Sequence, residues 1–375
     1  MDFWGITGTN GKTTCTWIFA EFVNACPGRR CGYLTTVEVF DGKDRYYTGY
    51  TTPPLAQLKE IFAKMVAHGL TDCVMEVSSH AIHQHRTGDT VFSGGAFTNL
   101  SEDHLDYHKT MAEYFRVKAS FARQIADAAP PPRGDCGRKD FPPYVVCLDG
   151  GYGAEMLEAA GRLPLNVIPV SRAAPRFDLA DLPLVGDYNK SNVLVAAALA
   201  EAAGVPRATI QATIPKLTPR WGRLERIVNP RVPAAVYVDF AHTPDGLEKV
   251  LAAARGFMPA GGRLWVVFGA GGDRDPMKRP LMGAACARLA DSLVVTSDNP
   301  RSEDPRAIID QILAGTCGAK SCVVEPDRAQ AIRYALAHAG ADDVVIVAGK
   351  GHETTQEIKG VKHPFDDRAV VRGFG

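Results

Sequence analysis

Apolar and polar positions along this chain fall into two alternating kinds of segment. Short β-branched runs, "DFWGIT", "DCVMEVSS", "YVVCLD", "NVIPV", "AAVYVDF", "RLWVVFG", "DSLVVTS" and "DVVIVAG", read as strands. Between them lie Ala/Leu-rich stretches at 13–25, 54–68, 189–203, 244–255 and 329–338, which read as helices. Strands alternating with helices predict parallel sheets joined by helical crossovers. The segment "APPPRGDCGRKDFPP" (129–143) is too rich in Pro and Gly for regular structure and reads as a surface loop. Near "KLTPRWGRLERI" a helical region ends, Pro215 and Pro219 intervene, and a strand-first pattern begins again. With 375 residues the chain exceeds one ordinary core. The expectation is therefore two α/β domains, 1–219 and 220–375, with no internal repeat.

Composition changes this picture mainly by exclusion. Lys+Arg and Asp+Glu both number 42, so no global field draws the chain to nucleic acid or to an anionic membrane. No apolar run approaches the roughly 20 residues of a membrane span. Polar Thr7 to Thr14 interrupts the N-terminal apolar run at once, so no signal pattern forms. The nine cysteines are scattered without a Cys-x-x-Cys pair, which suits reduced thiols in a cytoplasm.

Chemistry enters at "GTNGKTT" (8–14), which follows a strand and precedes a helix. Gly8, Thr9, Asn10 and Gly11 let backbone amides converge on phosphate oxygens, Lys12 neutralises charge, and the hydroxyls of Thr13 and Thr14 can reach phosphate or Mg²⁺. The reading is ATP binding, although the Walker pattern asks for a leading glycine where Ile6 stands. "MEVSSHAIHQHR" (75–86) ends an apolar strand in Glu76, where a metal ligand or a solvated strand end would both fit. His80, His83 and His85 follow, but no cysteine or paired carboxylate completes a zinc set. "FTNLSEDHLDYHKTMAEYFRVKASF" (97–121) concentrates Asp103, His104, Asp106 and His108 before a helical stretch bearing Lys118. Taken alone, that lysine is an ordinary surface residue.

In the second half "VDFAHTPDGL", "VVFGAGGDRDPMKRP", "SDNPRSEDP" and "VAGKGHET" each follow an apolar run. Four polar loops at strand ends suggest one ligand-facing rim. Arg274, Arg301 and Glu353 together would suit a zwitterion, guanidinium to carboxylate and carboxylate to ammonium.

Taken together, "TGTNGKTT", "TTP", "EVSSHA", "FTNL" with "DHLDYH", "AHTPD", "GGDRD" with "KRP", "DNPR" and "AGKGHE" resemble the Mur ligase family of peptidoglycan synthesis, from Gly5 to about Arg372. The resemblance implies a P-loop-type parallel-sheet central ATPase domain followed by a smaller Rossmann-like α/β C-terminal domain. It removes the Ile6 objection, since the family's loop departs from Walker spacing in the same way. It implies an ATP- and Mg²⁺-dependent amide ligase that joins meso-diaminopimelate to UDP-N-acetylmuramoyl-L-alanyl-D-glutamate through an acyl phosphate. By the same resemblance Lys12 and Thr13 hold ATP phosphates, and Thr13, Glu76, His104 and Lys118 serve Mg²⁺, with Lys118 carried as a carbamate. Thr51, Thr52, Ser78, Gln84 and Arg86 fall where the family grips the muramoyl-dipeptide. Asn192, Arg223, His242 and Asp245 fall near the nucleotide, and Arg274, Asp298, Asn299, Pro300, Arg301, Gly349 and Glu353 at the diaminopimelate.

Departures from the family pattern are Phe240 in place of Tyr, Ala270 in place of Cys, and "CLDGG" in place of Asn-x-Asp-Asp; none removes a group with a role. Family members also carry a front domain for the uridine diphosphate, and the resemblance implies that this domain is missing here or is a separate chain beside a monomeric ligase. Two other functions share some of these features. Folylpolyglutamate synthetases use the same two-domain core, without an expected "DNPR" or "AGKGHE". A non-catalytic ATP-binding partner subunit would be expected to lose Lys12, Glu76, His104 and Lys118, all of which remain.

Overall fold

Near-continuous apolar runs mark strands covered on both faces, and they build the centre of each sheet in the computed structural model, which describes residues 1–128, 141–218 and 222–375. The Pro/Gly-rich stretch at 129–140 and the residues at 219–221 lie outside the described residues, as does the side chain of Asp106. The chain divides into two units, Met1–Leu217 and Thr218–Gly375.

The first unit holds β1 (Asp2–Thr7), β2 (Cys31–Leu34), β3 (Val39–Phe40), β4 (Arg45–Tyr46), β5 (Asp72–Glu76), β6 (Gly94–Phe97), β7 (Pro143–Cys147) and β8 (Asn166–Val170). Its sheet runs β4-β3-β2-β5-β1-β6-β7-β8. All neighbours are parallel except in the short β2–β3–β4 meander. The helices are α1 (Lys12–Asn24), α2 (Leu55–Ala67), α3 (Ser79–His83), α4 (Leu105–His108), α5 (Met111–Ala128), α6 (Gly153–Gly161), α7 (Asp187–Ala202) and α8 (Arg207–Thr213). Because β1, β5 and β6 are parallel neighbours, the loops after Thr7, Glu76 and Phe97 leave the sheet at one edge.

Two glycines set how closely α5 approaches that sheet. Gly5 of β1 is in register with Gly95 of β6. A Cβ on Gly5 would lie 2.3 Å from Phe121 Cζ, and one on Gly95 would lie 2.6 Å from Ile125 Cδ1 and 2.9 Å from the Gly5 carbonyl oxygen. Phe121 and Ile125 are fully buried on α5, one and two turns beyond Lys118. Bare backbone under the helix thus brings Lys118 down to the loop after β1.

The second unit contains β9 (Glu225–Ile227), β10 (Ala235–Asp239), β11 (Leu264–Phe268), β12 (Ser292–Val295), β13 (Cys322–Val324) and β14 (Val344–Ala348). Their order is β13-β12-β11-β14-β10-β9, parallel throughout except for β9. Around them lie α9 (Pro244–Phe257), α10 (Lys278–Leu289), α11 (Pro305–Leu313), α12 (Arg328–His338) and α13 (Asp367–Arg372). A hairpin of β15 (Thr355–Ile358) and β16 (Val361–Pro364) turns through Lys359 and Gly360, both at positive φ, as a two-residue hairpin turn requires.

The expected parallel sheets with helical crossovers are present in both units. Strand ends differ from the apolar runs where polar groups take over. "DCVMEVSS" stops at Glu76 because Ser78 caps α3, its side chain accepting from Ala81 N. Among the described residues no helix is long and apolar enough to cross a membrane.

Candidate active site

The loop between β1 and α1 is shaped by what stands behind it. Gly8 sits at φ 146°, and a Cβ there would lie 1.9 Å from Thr98 Oγ1; Gly11 sits at φ 85°, with Asn192 Oδ1 of α7 2.3 Å from where its Cβ would be. Side chains after β6 fasten the loop. Asn99 Oδ1 accepts from Asn10 N at 3.0 Å, and Thr98 Oγ1 donates to Asn10 O at 2.6 Å. Helix α1 begins without a side-chain cap or an acidic residue in its first turn, and its first residue is Lys12. A cation there opposes the helix dipole, so this N-terminus is arranged for an anion.

Two lysines converge on that loop. Lys12 Nζ donates to the carbonyls of Gly8 (2.9 Å) and Thr9 (2.7 Å), and Lys118 Nζ donates to the same Gly8 oxygen at 2.9 Å. Lys118 is not the surface residue that its type suggests; it is 1% exposed. Its Nζ lies 4.8 Å from the centre of the Tyr114 ring. Burial first, then the neighbouring Lys12 charge, hold its pKa well below the ordinary lysine value, against Asp103. Tyr114 OH in turn lies 3.1 Å from Thr9 Oγ1.

His104 belongs to the same group. It takes a left-handed backbone, φ 57°, at the start of α4, and packs 5.0 Å from His80 and 6.1 Å from Tyr114. Burial, then His80, Lys118 and Lys12, push its pKa down to about 4 against the opposing pull of Asp103. Glu76 is buried at the end of β5, in register with Ile6. Its two oxygens accept from Thr36 N (2.8 Å) and Thr36 Oγ1 (3.2 Å).

The residues expected at the dipeptide form one connected network with Glu76. Thr51 Oγ1 lies 3.0 Å from Thr36 Oγ1, and Thr52 Oγ1 donates to Glu76 O at 2.8 Å and accepts from Ser78 N at 3.1 Å. Arg86 donates to Thr52 O at 3.0 Å and holds Gln84 Oε1 with both Nε and Nη2. His80 packs tilted against Tyr107 at 4.2 Å and His83 meets it edge-on at 5.4 Å. No set of three His, Cys, Asp or Glu able to hold a metal occurs among the described residues.

The second unit gathers two groups at its strand ends. Arg223 lies 4.6 Å over the Phe240 ring, against which His242 (4.6 Å) and His352 (4.9 Å) also pack. Asp239, at the end of β10, accepts from Leu224 N and Ala241 N at 2.6 and 2.8 Å. Burial raises the pKa of Asp239, against the opposing pull of Arg223. Asp245 pairs with Lys249 on α9. In the other group, Asn299 Nδ2 donates to Glu353 Oε2 at 2.8 Å, and Asp298 Oδ2 lies 2.4 Å from where a Cβ on Gly349 (φ 117°) would sit. Arg301, at φ 52°, donates from Nη1 to Gly272 O at 2.7 Å. Gly271 lies against both Arg301 and Arg274, the latter exposed, and Pro300 O faces Gly272. Asn192, by contrast, belongs to the first unit, against Gly11.

Sequence reasoning did not single out Thr36, Asn99, Tyr114, Asp239 or Lys350, although each holds a candidate residue by a direct bond or ring contact. Their types carried no signal; only Asp239, at the end of an apolar run, could have been read as Glu76 was.

The loop suits a nucleoside triphosphate: an uncapped helix start, two lysines, and glycines at which a side chain would meet the wall behind. Mg²⁺ is commonly held by one or two carboxylates together with substrate phosphates rather than by an all-protein cage, a role that the buried carboxylate of Glu76 fits.

Comparison with known proteins gives two family matches: the Mur ligase middle domain over residues 6–174, and the Mur ligase, glutamate ligase domain over residues 222–351. The UDP-N-acetylmuramoyl-L-alanyl-D-glutamate--2,6-diaminopimelate ligase of Ralstonia nicotianae is 42% identical over 387 residues, 98% of this chain and 74% of that protein. A solved UDP-N-acetylmuramoyl-L-alanyl-D-glutamate--2,6-diaminopimelate ligase is similar at TM-score 0.62 and 32% identity, covering 99% of this chain and 77% of that one. The folylpolyglutamate synthase of Mycobacterium tuberculosis shares the fold, with TM-score 0.65 and 20% identity over 93% of this chain and 88% of that one.

Proposed function

This chain belongs to the Mur ligase family, and we propose on that premise that it is an ATP-dependent ligase adding meso-diaminopimelate to UDP-N-acetylmuramoyl-L-alanyl-D-glutamate, a step of peptidoglycan precursor synthesis. The observation that carries the chemical reading is the convergence of Lys12 and Lys118 on one carbonyl beside an uncapped helix N-terminus. Two lysine amines and a helix dipole held together disfavour positive charge on both amines until a polyanion joins them.

The first unit then does the phosphoryl work. The glycine loop from Gly8 to Gly11, with Thr14, cradles the ATP phosphates, and Asn192 backs the loop. Thr51, Thr52, Ser78, Gln84 and Arg86 orient the dipeptide so that its free carboxylate meets the γ-phosphorus. Lys12 offsets charge on the transferring group. Thr13, Glu76, His104 and a carbamylated Lys118 would hold Mg²⁺, which when bound supplies further positive charge to the phosphates. The carbamate has a chemical rationale in this chain. Burial and Lys12 favour the free-base amine of Lys118, the form that attacks CO₂, forming an N–C bond and releasing one proton. The product keeps an N–H for the Gly8 carbonyl and gains a carboxylate-like pair of oxygens.

The second unit supplies the amine. Arg223, His242 and Asp245 meet the nucleotide. Arg274, Asp298, Asn299, Pro300, Arg301, Gly349 and Glu353 hold the distal zwitterion of meso-diaminopimelate. Its other amine, unprotonated, attacks the acyl phosphate, and the tetrahedral intermediate expels phosphate. L-Lysine lacks the distal carboxylate and would leave a guanidinium unpaired. Eight free cysteines among the described residues support a reducing, cytoplasmic setting.

The test is a competition. The chain is given ATP, MgCl₂, UDP-N-acetylmuramoyl-L-alanyl-D-glutamate and equimolar meso-diaminopimelate and L-lysine. Phosphate release requiring every component, with diaminopimelate dominating the product, is expected. Equal incorporation of lysine would overturn the substrate assignment, and no phosphate release would overturn the ligase reading.

A further inference from the structure

Lys350, the residue after Gly349, has no exposed surface. Its Nζ donates to Asn299 Oδ1 at 3.0 Å and to Glu353 Oε2 at 2.9 Å. Asn299 Nδ2 closes the triangle by donating to the same Glu353 oxygen at 2.8 Å. A fourth bond, from Glu357 N to Asn299 Oδ1 at 2.9 Å, anchors the ring to β15.

This ring fixes more than packing. Asn299 Oδ1 faces two donors and Nδ2 faces a carboxylate, so the amide can sit only one way round. Both lone-pair directions of Oδ1 are used, and Glu353 Oε2 takes two donors. The ring therefore presents outward one amide N–H of Asn299 and the second oxygen of Glu353. Those are a donor for a carboxylate and an acceptor for an ammonium. Lys350 also offsets the Glu353 charge, while Arg301, whose Nε lies 3.7 Å from Glu357 Oε2, keeps a guanidinium in the same strand-end group, suited to a ligand that brings a carboxylate as well as an amine.

We propose that Lys350 is the positioning residue of the amino-acid site: without meeting the substrate, it sets the orientation and charge of the two side chains that do. This deepens the reading of that site as the one for meso-diaminopimelate and rests on it. A buried ion pair is a poor way to gain stability alone, since an apolar side chain of similar volume often does as well. The role lies instead in what the ring presents.

The experiment is a double-mutant cycle on the full chain with Lys350→Met, Glu353→Gln and the double variant. Each is assayed for KM of meso-diaminopimelate, KM of ATP and kcat. Lys350→Met should raise the amino-acid KM by about tenfold or more, the equivalent of losing one charge-assisted bond, while the ATP KM stays within about twofold. The double variant should be little worse than the worse single variant, because both act through one ring. An unchanged amino-acid KM, effects that multiply, or equal changes in both KM values would overturn the proposal. If Lys350→Met does not fold, Lys350→Gln, which keeps a neutral donor, is read by the same criteria. Wild-type turnover with meso-diaminopimelate is measured first. If another amino acid proves to be the substrate, the functional reading fails and the cycle, run with that amino acid, still decides the role of Lys350.

Discussion

The carbonyl of Gly8 receives hydrogen bonds from two lysine amines, and only one of the two lies on the loop itself. Lys118 reaches it from α5 with its amine held toward the neutral form by burial. If that amine carries a carbamate, Lys118→Ala should lower kcat by about a hundredfold or more, the scale of removing one transition-state electrostatic group. Acetate or propionate added at millimolar levels should restore part of the loss, whereas neither should help Lys12→Ala. Wild-type turnover in Lys118→Ala would refute the assignment. A second residue tests the electrostatics of the other unit. Burial, then Arg223, Arg368, His242 and Lys350, push the His352 pKa down to about 3, and its Nδ1 has no hydrogen-bond partner among the described residues. Its folded pKa lies below the unfolded value, so the unfolded chain binds the proton more readily. Its stabilising contribution is therefore whole above about pH 6.5 and is lost as pH falls toward 3. Between pH 7.5 and 5 that is of order 1–2 kcal/mol. Urea midpoints for His352→Gln should fall less over this interval than those of wild type; identical slopes would show that another group governs the loss.

At the scale of elements, the decisive feature is the seat of α5 on paired glycines. Gly95→Ala places a methyl against Ile125 Cδ1 and the Gly5 carbonyl, of which the backbone oxygen cannot easily yield. Overpacking of this kind costs about 1–3 kcal/mol, and it lifts the helix that carries Lys118. The variant should melt several degrees lower and also lose turnover at temperatures where it remains folded. Loss of stability with kcat unchanged would mean that α5 can shift without moving Lys118. The same seat explains what could be read in the chain beforehand. β1, β5, β10 and β14 were legible because burial on both faces makes them long apolar runs, and the loops at their ends showed by composition. β6, "GGAF", was hidden because its glycines resemble a turn, and their purpose appears only when Phe121 and Ile125 stand over them. Taken without the family resemblance, Lys118 reads as a surface residue for the same reason, since local sequence does not reveal which helix a sheet will admit closely. Thr36 and Lys350 act through partners 40 and 51 positions away, a relation that no short motif encodes.

On the scale of the whole molecule, the proposed function assigns the two halves of the chemistry to different units. Lys12, Glu76, His104, Lys118 and the threonines proposed for the dipeptide, Thr51 and Thr52, lie within Met1–Leu217, and Asn299, Arg301, Lys350 and Glu353 within Thr218–Gly375. On the proposed reading, formation of an acyl phosphate needs the first set and its consumption by an amine needs the second. The two steps should therefore come apart under mutation. Hydroxylamine, a small nucleophile with no use for an amino-acid site, attacks acyl phosphates to give a hydroxamate and free phosphate. With ATP, MgCl₂ and the muramoyl-dipeptide substrate, Arg301→Ala should form hydroxamate at a rate close to wild type. The same variant should show a KM for meso-diaminopimelate raised by about tenfold to a hundredfold, as expected when one guanidinium–carboxylate pair is lost. Lys12→Ala should fail in both assays, because no acyl phosphate would be made for either nucleophile. If Arg301→Ala loses hydroxamate formation as fully as Lys12→Ala does, the amino-acid residues are required for phosphoryl transfer as well, and the division of labour between the two units is wrong.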